Sequence, residues 1–227
     1  VWDLMHPEKI TTGGVVAVLR RWLGTDRRPH FAMPGFLLDA GAKAGDFAAL
    51  LGWRPPVRST AIAELRRGVT GDPQPWMTGT GISPRALDDI LRHRPVTVQE
   101  RWFAQLYLLK ALTIVALVFF WCVSGGIVLA FSFKAAADIL IAHGFSTGMA
   151  NAATLLSSLM DICVGLAIAF RRTSRAGLMA GIGVSLFYMI SAAFLTPELW
   201  IEPLGALVKT GPAIVLMLAA LAISDER

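Results

Sequence analysis

The residues best placed to do chemistry are ionisable side chains set in apolar surroundings. Asp161 lies inside "SSLMDICVGLA", residues 157–167. An ionised carboxylate in hydrocarbon is costly unless it is paired, hydrated or protonated. Two lysines are candidate partners: Lys110, just before a charge-free run, and Lys209, near the start of the last apolar run. Ser157, Ser158, Ser185 and Tyr188 lie at depths where a hydroxyl can reach the carboxyl, so a neutral, protonated Asp161 is the alternative. Asp161, Lys209, Lys110, Ser185 and Tyr188 therefore form a candidate intramembrane polar site, functional or purely structural. Each lysine also has a plainer reading. Lys110 can snorkel to the headgroups, and Lys209 can snorkel or pair with Glu202 at the outer rim.

Helical spacing puts Thr154, Ser157, Ser158 and Gly165 on the face of Asp161. That polar face is expected to point into a helix bundle, with Asp161 against Ser185 or Tyr188 and one lysine, Lys209 ahead of Lys110. Gly211 and Pro212 follow Lys209 and are expected to loosen the helix there.

The elements that must position these groups are membrane spans. A hydrocarbon core about 30 Å thick needs roughly 20 apolar residues in a helix. Four stretches qualify, at about 107–131, 149–170, 176–195 and 204–223, and Ala111 to Phe131 carry no charge at all. Gly177, Ala180, Gly181 and Ser185 in the third suit close helix–helix approach. The loop "RRTSR" (171–175) holds Arg171, Arg172 and Arg175, whereas "TPELWIEP" (196–203) is acidic. The positive-inside rule puts the arginine loop, and with it both termini, in the cytoplasm. The location expected is a bacterial inner membrane, with the lipid bilayer as the main partner.

Composition agrees. Of the 227 residues 55% are hydrophobic, and the mean hydropathy of +0.58 is high for a soluble domain. Residues 1–104 hold 14 of the 21 Lys+Arg and 10 of the 16 Asp+Glu, so a charged N-terminal part precedes a nearly charge-free one. The net charge of +5 is scattered, which argues against nucleic acid as a partner. Cys122 and Cys163 both sit in apolar runs and read as small buried thiols in a membrane rather than as a disulfide or metal site. His6, His30, His93 and His143 are too far apart for metal-ligand spacing, and no metal is expected.

The N-terminal part reads as small helices with at most one strand. "VWDL" (1–4) is strand-like. A stripe of Val15, Val18, Leu19, Trp22 and Leu23 stops at Gly24, and another from Phe36 to Leu51 stops at Gly52, with Asp39 and Lys43 as an i,i+4 pair. Ser83 is the expected N-cap of a helix opening at Pro84. "TVQE" (97–100) reads as a capping box opening a helix that runs into the first span, with Arg101, Trp102 and Tyr107 at the membrane surface. No G-x-G-x-x-G, Y-x-x-x-K or P-loop occurs. The opening at Val1 is read as the start of the C-terminal piece of a longer protein.

Two segments resemble known families. "PELWIEPLGALVKTGPAI" (197–214) resembles the DoxX-like membrane family through Pro197, Leu199, Trp200, Pro203, Leu204, Gly205, Lys209 and Pro212, with Asp161 and Gly165 matching its acid-then-glycine pattern. Thr210 stands where that family often has Asn. Over about 1–97, "DLMHPEKITTGGVVAVLRRWLG", "LGWRPP", "RSTAIAELRRGVTGDP" and "TGISPRALDDIL" are similar to the tail of an atypical extended short-chain dehydrogenase/reductase. The fold expected is thus mainly α: residues 1–97 a partial, mostly helical α/β substrate-side subdomain of a reductase, and 98–227 a four-helix transmembrane bundle. The resemblance implies an NAD(P)-dependent, membrane-anchored oxidoreductase. Its Rossmann domain and catalytic Tyr and Lys would lie upstream of Val1, so no cofactor is expected on this fragment. A quinone or another membrane redox protein is the candidate redox partner. Two rivals stand beside this reading: a bundle that only anchors and assembles partners, and a small carrier using Asp161 as a proton site. The lack of an inverted repeat argues against the carrier.

Overall fold

A computed structural model describes residues 2–26, 33–201, 205 and 207–224. The chain divides into two compact units, Val1–Leu50 with Arg54–Leu106, and Leu51–Trp53 with Tyr107–Arg227.

The first unit holds α1 (Thr12–Trp22), α2 (Gly35–Leu50), α3 (Ser59–Arg67), α4 (Gln74–Thr80) and α5 (Leu87–Arg92). Thr11 caps α1 by accepting the Gly14 N–H at 3.1 Å, and the chain turns out of α1 at Gly24, φ +70°. Among the described residues there is no strand, so the α/β reading of this part gives way to an all-helical one. Residues 2–4 have no neighbouring strand to satisfy their backbone groups. Asp3 instead accepts the Asp72 N–H at 3.1 Å, and the Trp2 ring lies against Gly79. The last small helix begins at Leu87 behind Ala86 rather than at Ser83–Pro84. That start puts Asp88 and Asp89 in the first turn, where they meet the positive end of the helix dipole. Asp39 bonds Arg66 at 2.8 Å instead of Lys43. Of the unit's described hydrophobic side chains only Ala42 and Ile62 are buried, a thin core.

The second unit is built on α6 (Val98–Ile127), which starts in the first. Its N-terminus is a capping box: the Thr97 N–H donates to Glu100 at 2.8 Å and the Gln99 N–H to the Thr97 hydroxyl at 3.2 Å. The helix does not stop near 131 as the hydropathy implies. A π turn (Val128–Ser132) leads straight into α7 (Phe133–Ala142), and the 45 residues Val98–Ala142 run on as one helical stretch. At 1.5 Å per residue that is about 65 Å. No Pro or Gly interrupts 127–142, and "KAAADIL" favours helix; the stretch ends only at Gly144, φ +87°.

Then come α8 (Thr147–Ala169), α9 (Ser174–Leu195), a 3₁₀ turn (Pro197–Trp200) and α10 (Thr210–Ala222). Val98–Ala142, α8 and α9 are long and apolar enough to cross a bilayer. The fourth apolar helix is shorter than expected. Its 13 residues start at Thr210 rather than 204 and span about 20 Å. Residues 207–209 form a turn after Gly205, φ +58°.

Helices α6, α8, α9 and α10 share one core: Leu117 and Trp121, Val164 and Ile168, Leu178, and Met217 and Ala220, respectively. Glycines let the backbones close in. A Cβ on Gly177 would stand 2.7 Å from the Ile168 nitrogen, and one on Gly125 2.4 Å from the Ser158 carbonyl oxygen. Outside this core Phe119, Phe131, Leu156, Phe187, Phe194 and Val215 are exposed. An apolar surface of that extent fits a lipid bilayer and not water.

Candidate functional site

Helix α8 sets its polar residues on one face. Thr154 and Ser158 are buried, and the Ser157 and Ser158 hydroxyls both donate back to the Thr154 carbonyl, at 3.1 and 2.7 Å. Serines in apolar helices satisfy themselves this way. Neither serine therefore reaches Asp161, one turn further on.

Asp161 is half-buried beside Gly125 of α6, where a Cβ would come within 3.1 Å of its own Cβ. Its carboxylate accepts a hydrogen bond from the Tyr188 hydroxyl of α9 at 2.9 Å. Tyr188 also lies 3.2 Å from the Ser157 carbonyl oxygen, so its one proton is shared between two acceptors of α8. Phenol and carboxylate together can hold or hand on a proton between helices otherwise packed through apolar side chains.

Ser185, one turn before Tyr188, is not part of this bond. Its hydroxyl is buried and, among the described residues, has no hydrogen-bond partner. The Trp121 indole N–H is buried and likewise unpartnered among the described residues, and its ring lies against Gly181. Lys209 makes no ion pair with Asp161: it is the N-cap of α10, outside the helix it was expected to enter. Lys110 is fifteen residues before Gly125 on one helix, so about 22 Å separates it from the level of Asp161.

The remaining motif residues have local roles. Gly165 makes room for α6, since a Cβ there would stand 2.4 Å from the Cys122 sulfur. Pro212 falls in the first turn of α10, where its missing N–H leaves no bond unmade, so it helps start the helix rather than loosening it. Gly205 supplies the left-handed turn before α10, and the Trp200 indole is tucked in at the 3₁₀ turn. Pro203 and Glu202, like His30, lie outside the described residues. Cys122 is half-buried beside α8 and Cys163 is exposed. Among the described residues no three His, Cys, Asp or Glu side chains converge.

Two features escape sequence reasoning. The Trp53 indole donates to the Ala169 carbonyl at 2.7 Å and the Arg171 N–H to the Leu51 carbonyl at 3.0 Å, closing the C-terminal end of α8 from 116 or more residues away in sequence. His143, capping α7, contacts the Ile139 carbonyl through Nδ1 at 2.7 Å and the Glu198 carboxylate through Nε2. The Ile139 carbonyl first, and then Glu198, raise the pKa of His143 above its ordinary value. Only Gly144, two residues short of the Ser146 N-cap, hints at that turn in the sequence.

Three apolar helices of spanning length around a shared core make this a membrane protein. Residues 118–218 match the DoxX-like family, a stretch that takes in the core, Asp161 and Tyr188 but not Lys110. The match takes in most of the 98–227 segment and does not reach residues 1–97. No curated protein and no solved structure matches the chain.

Proposed function

We propose that the chain is the membrane-anchoring part of an oxidoreductase-type protein of a bacterial inner membrane. Four helices cross the bilayer, both termini and the 171–175 loop face the cytoplasm, and an NAD(P)-dependent reductase half joins at the N-terminal side. One observation carries the anchoring role. Helix α6 opens at a capping box just after the charged N-terminal part and carries Leu117 and Trp121 into the bundle core, so a single helix links that part in sequence to a spanning segment. Helix α10, at about 20 Å, spans with the help of the preceding turn and local thinning of the bilayer. The reductase half rests on the resemblance of residues 1–97 alone. Membrane vesicles from cells making the full-length protein test it. NAD(P)H oxidation with a carbonyl or quinone acceptor, above that of vesicles without the protein, supports the reading; no oxidation by correctly inserted protein leaves the anchor alone.

The Asp161–Tyr188 bond favours a second reading, a proton-active site within the bundle. Proton uptake into proteoliposomes that is abolished by Asp161→Asn would favour it over a purely structural pair.

A further inference from the structure

Beyond the anchoring role, the N-terminal unit holds an open groove of about 260 Å³ between α1 and α5 whose charged lining residues are three arginines and one aspartate. Arg21 comes from α1, Arg92 from α5 and Arg94 from the segment just after it, against a single carboxylate, Asp88. Asp88 faces two of them at once: Arg21 at 3.4 Å, and Arg92 one helical turn on. One carboxylate cannot neutralise three guanidiniums, so the lining keeps two positive charges. What Asp88 does is orient Arg21 and Arg92 toward each other across the groove.

Arg94 is held differently. Its N–H donates to the Leu91 carbonyl at 3.1 Å, and its own carbonyl accepts the Trp22 indole N–H at 2.7 Å. Both backbone groups are thus tied to the two helices that make the walls. Among the described residues its guanidinium forms no ion pair, which leaves its donors for a ligand. The walls beside these charges are apolar, Val18 and Trp22 on one side and Leu91 on the other.

We propose that this groove binds the phosphate of an anionic phosphate ester, with an acidic phospholipid headgroup as the source nearest to hand. Guanidinium forks match phosphate oxygens two at a time, and several forks around one groove can share the tetrahedrally spread oxygens of a phosphate, where a carboxylate offers only two in one plane. The apolar walls accept the glycerol and first methylenes of a lipid. Arg94 is four residues before α6, the helix that carries the chain into the bilayer, so acidic headgroups are abundant close by along the chain. The inference stands on the groove and does not require the reductase reading.

Calorimetric titration of the full chain in a neutral detergent tests it. The probes are short-chain phosphatidylglycerol, short-chain phosphatidylcholine and inorganic phosphate, each below any micelle-forming concentration. Phosphatidylglycerol should bind about tenfold more tightly than phosphatidylcholine, and Arg21→Gln with Arg94→Gln should weaken it about tenfold. Arg66→Gln, which removes an exposed pair with Asp39 elsewhere in the unit, should leave it unchanged. Inorganic phosphate binding as tightly as phosphatidylglycerol, and lost in the same double variant, supports a phosphate site fed from solution rather than from the bilayer. Equal binding of both lipids with no binding of phosphate, or a double variant that folds with the same helical circular dichroism and binds unchanged, overturns the proposal.

Discussion

The Tyr188 hydroxyl of α9 donates to the Asp161 carboxylate of α8 at 2.9 Å, tying together two apolar helices through residues 27 apart in sequence. The bond answers how an acidic side chain is accommodated among spans: it faces a neighbouring helix, with a phenol and not a lysine as its partner. A double-mutant cycle of Asp161→Asn and Tyr188→Phe, measured in lipid or detergent, should give a coupling of about 0.6–1.7 kcal/mol, the range for hydrogen bonds between membrane helices. The parallel cycle of Asp161→Ala with Lys209→Met should give a coupling near zero, because Lys209 caps α10 and makes no bond to the carboxylate. The opposite pattern would return the lysine to the site.

The glycine contacts predict a contrast between positions of the same helix. Gly125→Ala puts a Cβ 2.4 Å from the Ser158 carbonyl oxygen, forcing α6 and α8 apart, and should destabilise the bundle by about 1–3 kcal/mol. At Gly126 nothing lies within 4 Å of the added carbon, so Gly126→Ala should be neutral or stabilising by up to about 1 kcal/mol. Unfolding in a denaturing detergent titration reads both, and equal effects at the two positions would contradict the packing described.

His143 should make stability depend on pH. The Ile139 carbonyl and the Glu198 carboxylate only accept, so the ring satisfies both as the imidazolium. Its pKa is raised above the ordinary 6.5, so the stabilisation is fully present below about that value and is lost as pH rises through the folded pKa. The gap in melting temperature between the parent chain and His143→Gln should be larger at pH 6 than at pH 9. A gap that does not shrink with rising pH would show that the contact does not depend on the proton.

Much of this fold is legible where the cause is local. Thr97 and Glu100 announce the start of α6 because both halves of the capping box lie within one turn, and Gly24 and Gly52 mark helix ends by backbone conformation alone. What depends on distant partners is not. The partner of Asp161 stays open among Ser185, Tyr188 and two lysines until the start of α10 is known, and hydropathy puts that start several residues too early. The continuation of α6 into α7 is hidden because charge at Lys134 and Asp138 signals the end of a span without ending a helix. The docking of Trp53 on Ala169 joins segments with no shared pattern. The strand expected at 1–4 is not found at residues 2–4, which have no second strand to pair with among the described residues.

Residues 1–97 expressed alone should melt without cooperativity. Ala42 and Ile62 are the buried hydrophobic side chains found among the described residues of that unit, too few to offset chain entropy. Scanning calorimetry checks this, and a sharp endotherm would show that the N-terminal part folds independently.

The central claim is a bundle that crosses the bilayer with the arginine loop inside, and cysteine accessibility tests it most directly. In a background with Cys122 and Cys163 replaced by serine, one cysteine is introduced at Thr173, in the turn between α8 and α9, or at Leu199, in the 3₁₀ turn after α9. A membrane-impermeant maleimide applied to intact spheroplasts should modify Leu199→Cys, and should modify Thr173→Cys only after the membrane is opened. Modification of Thr173→Cys in sealed spheroplasts, with Leu199→Cys protected until lysis, would contradict the account.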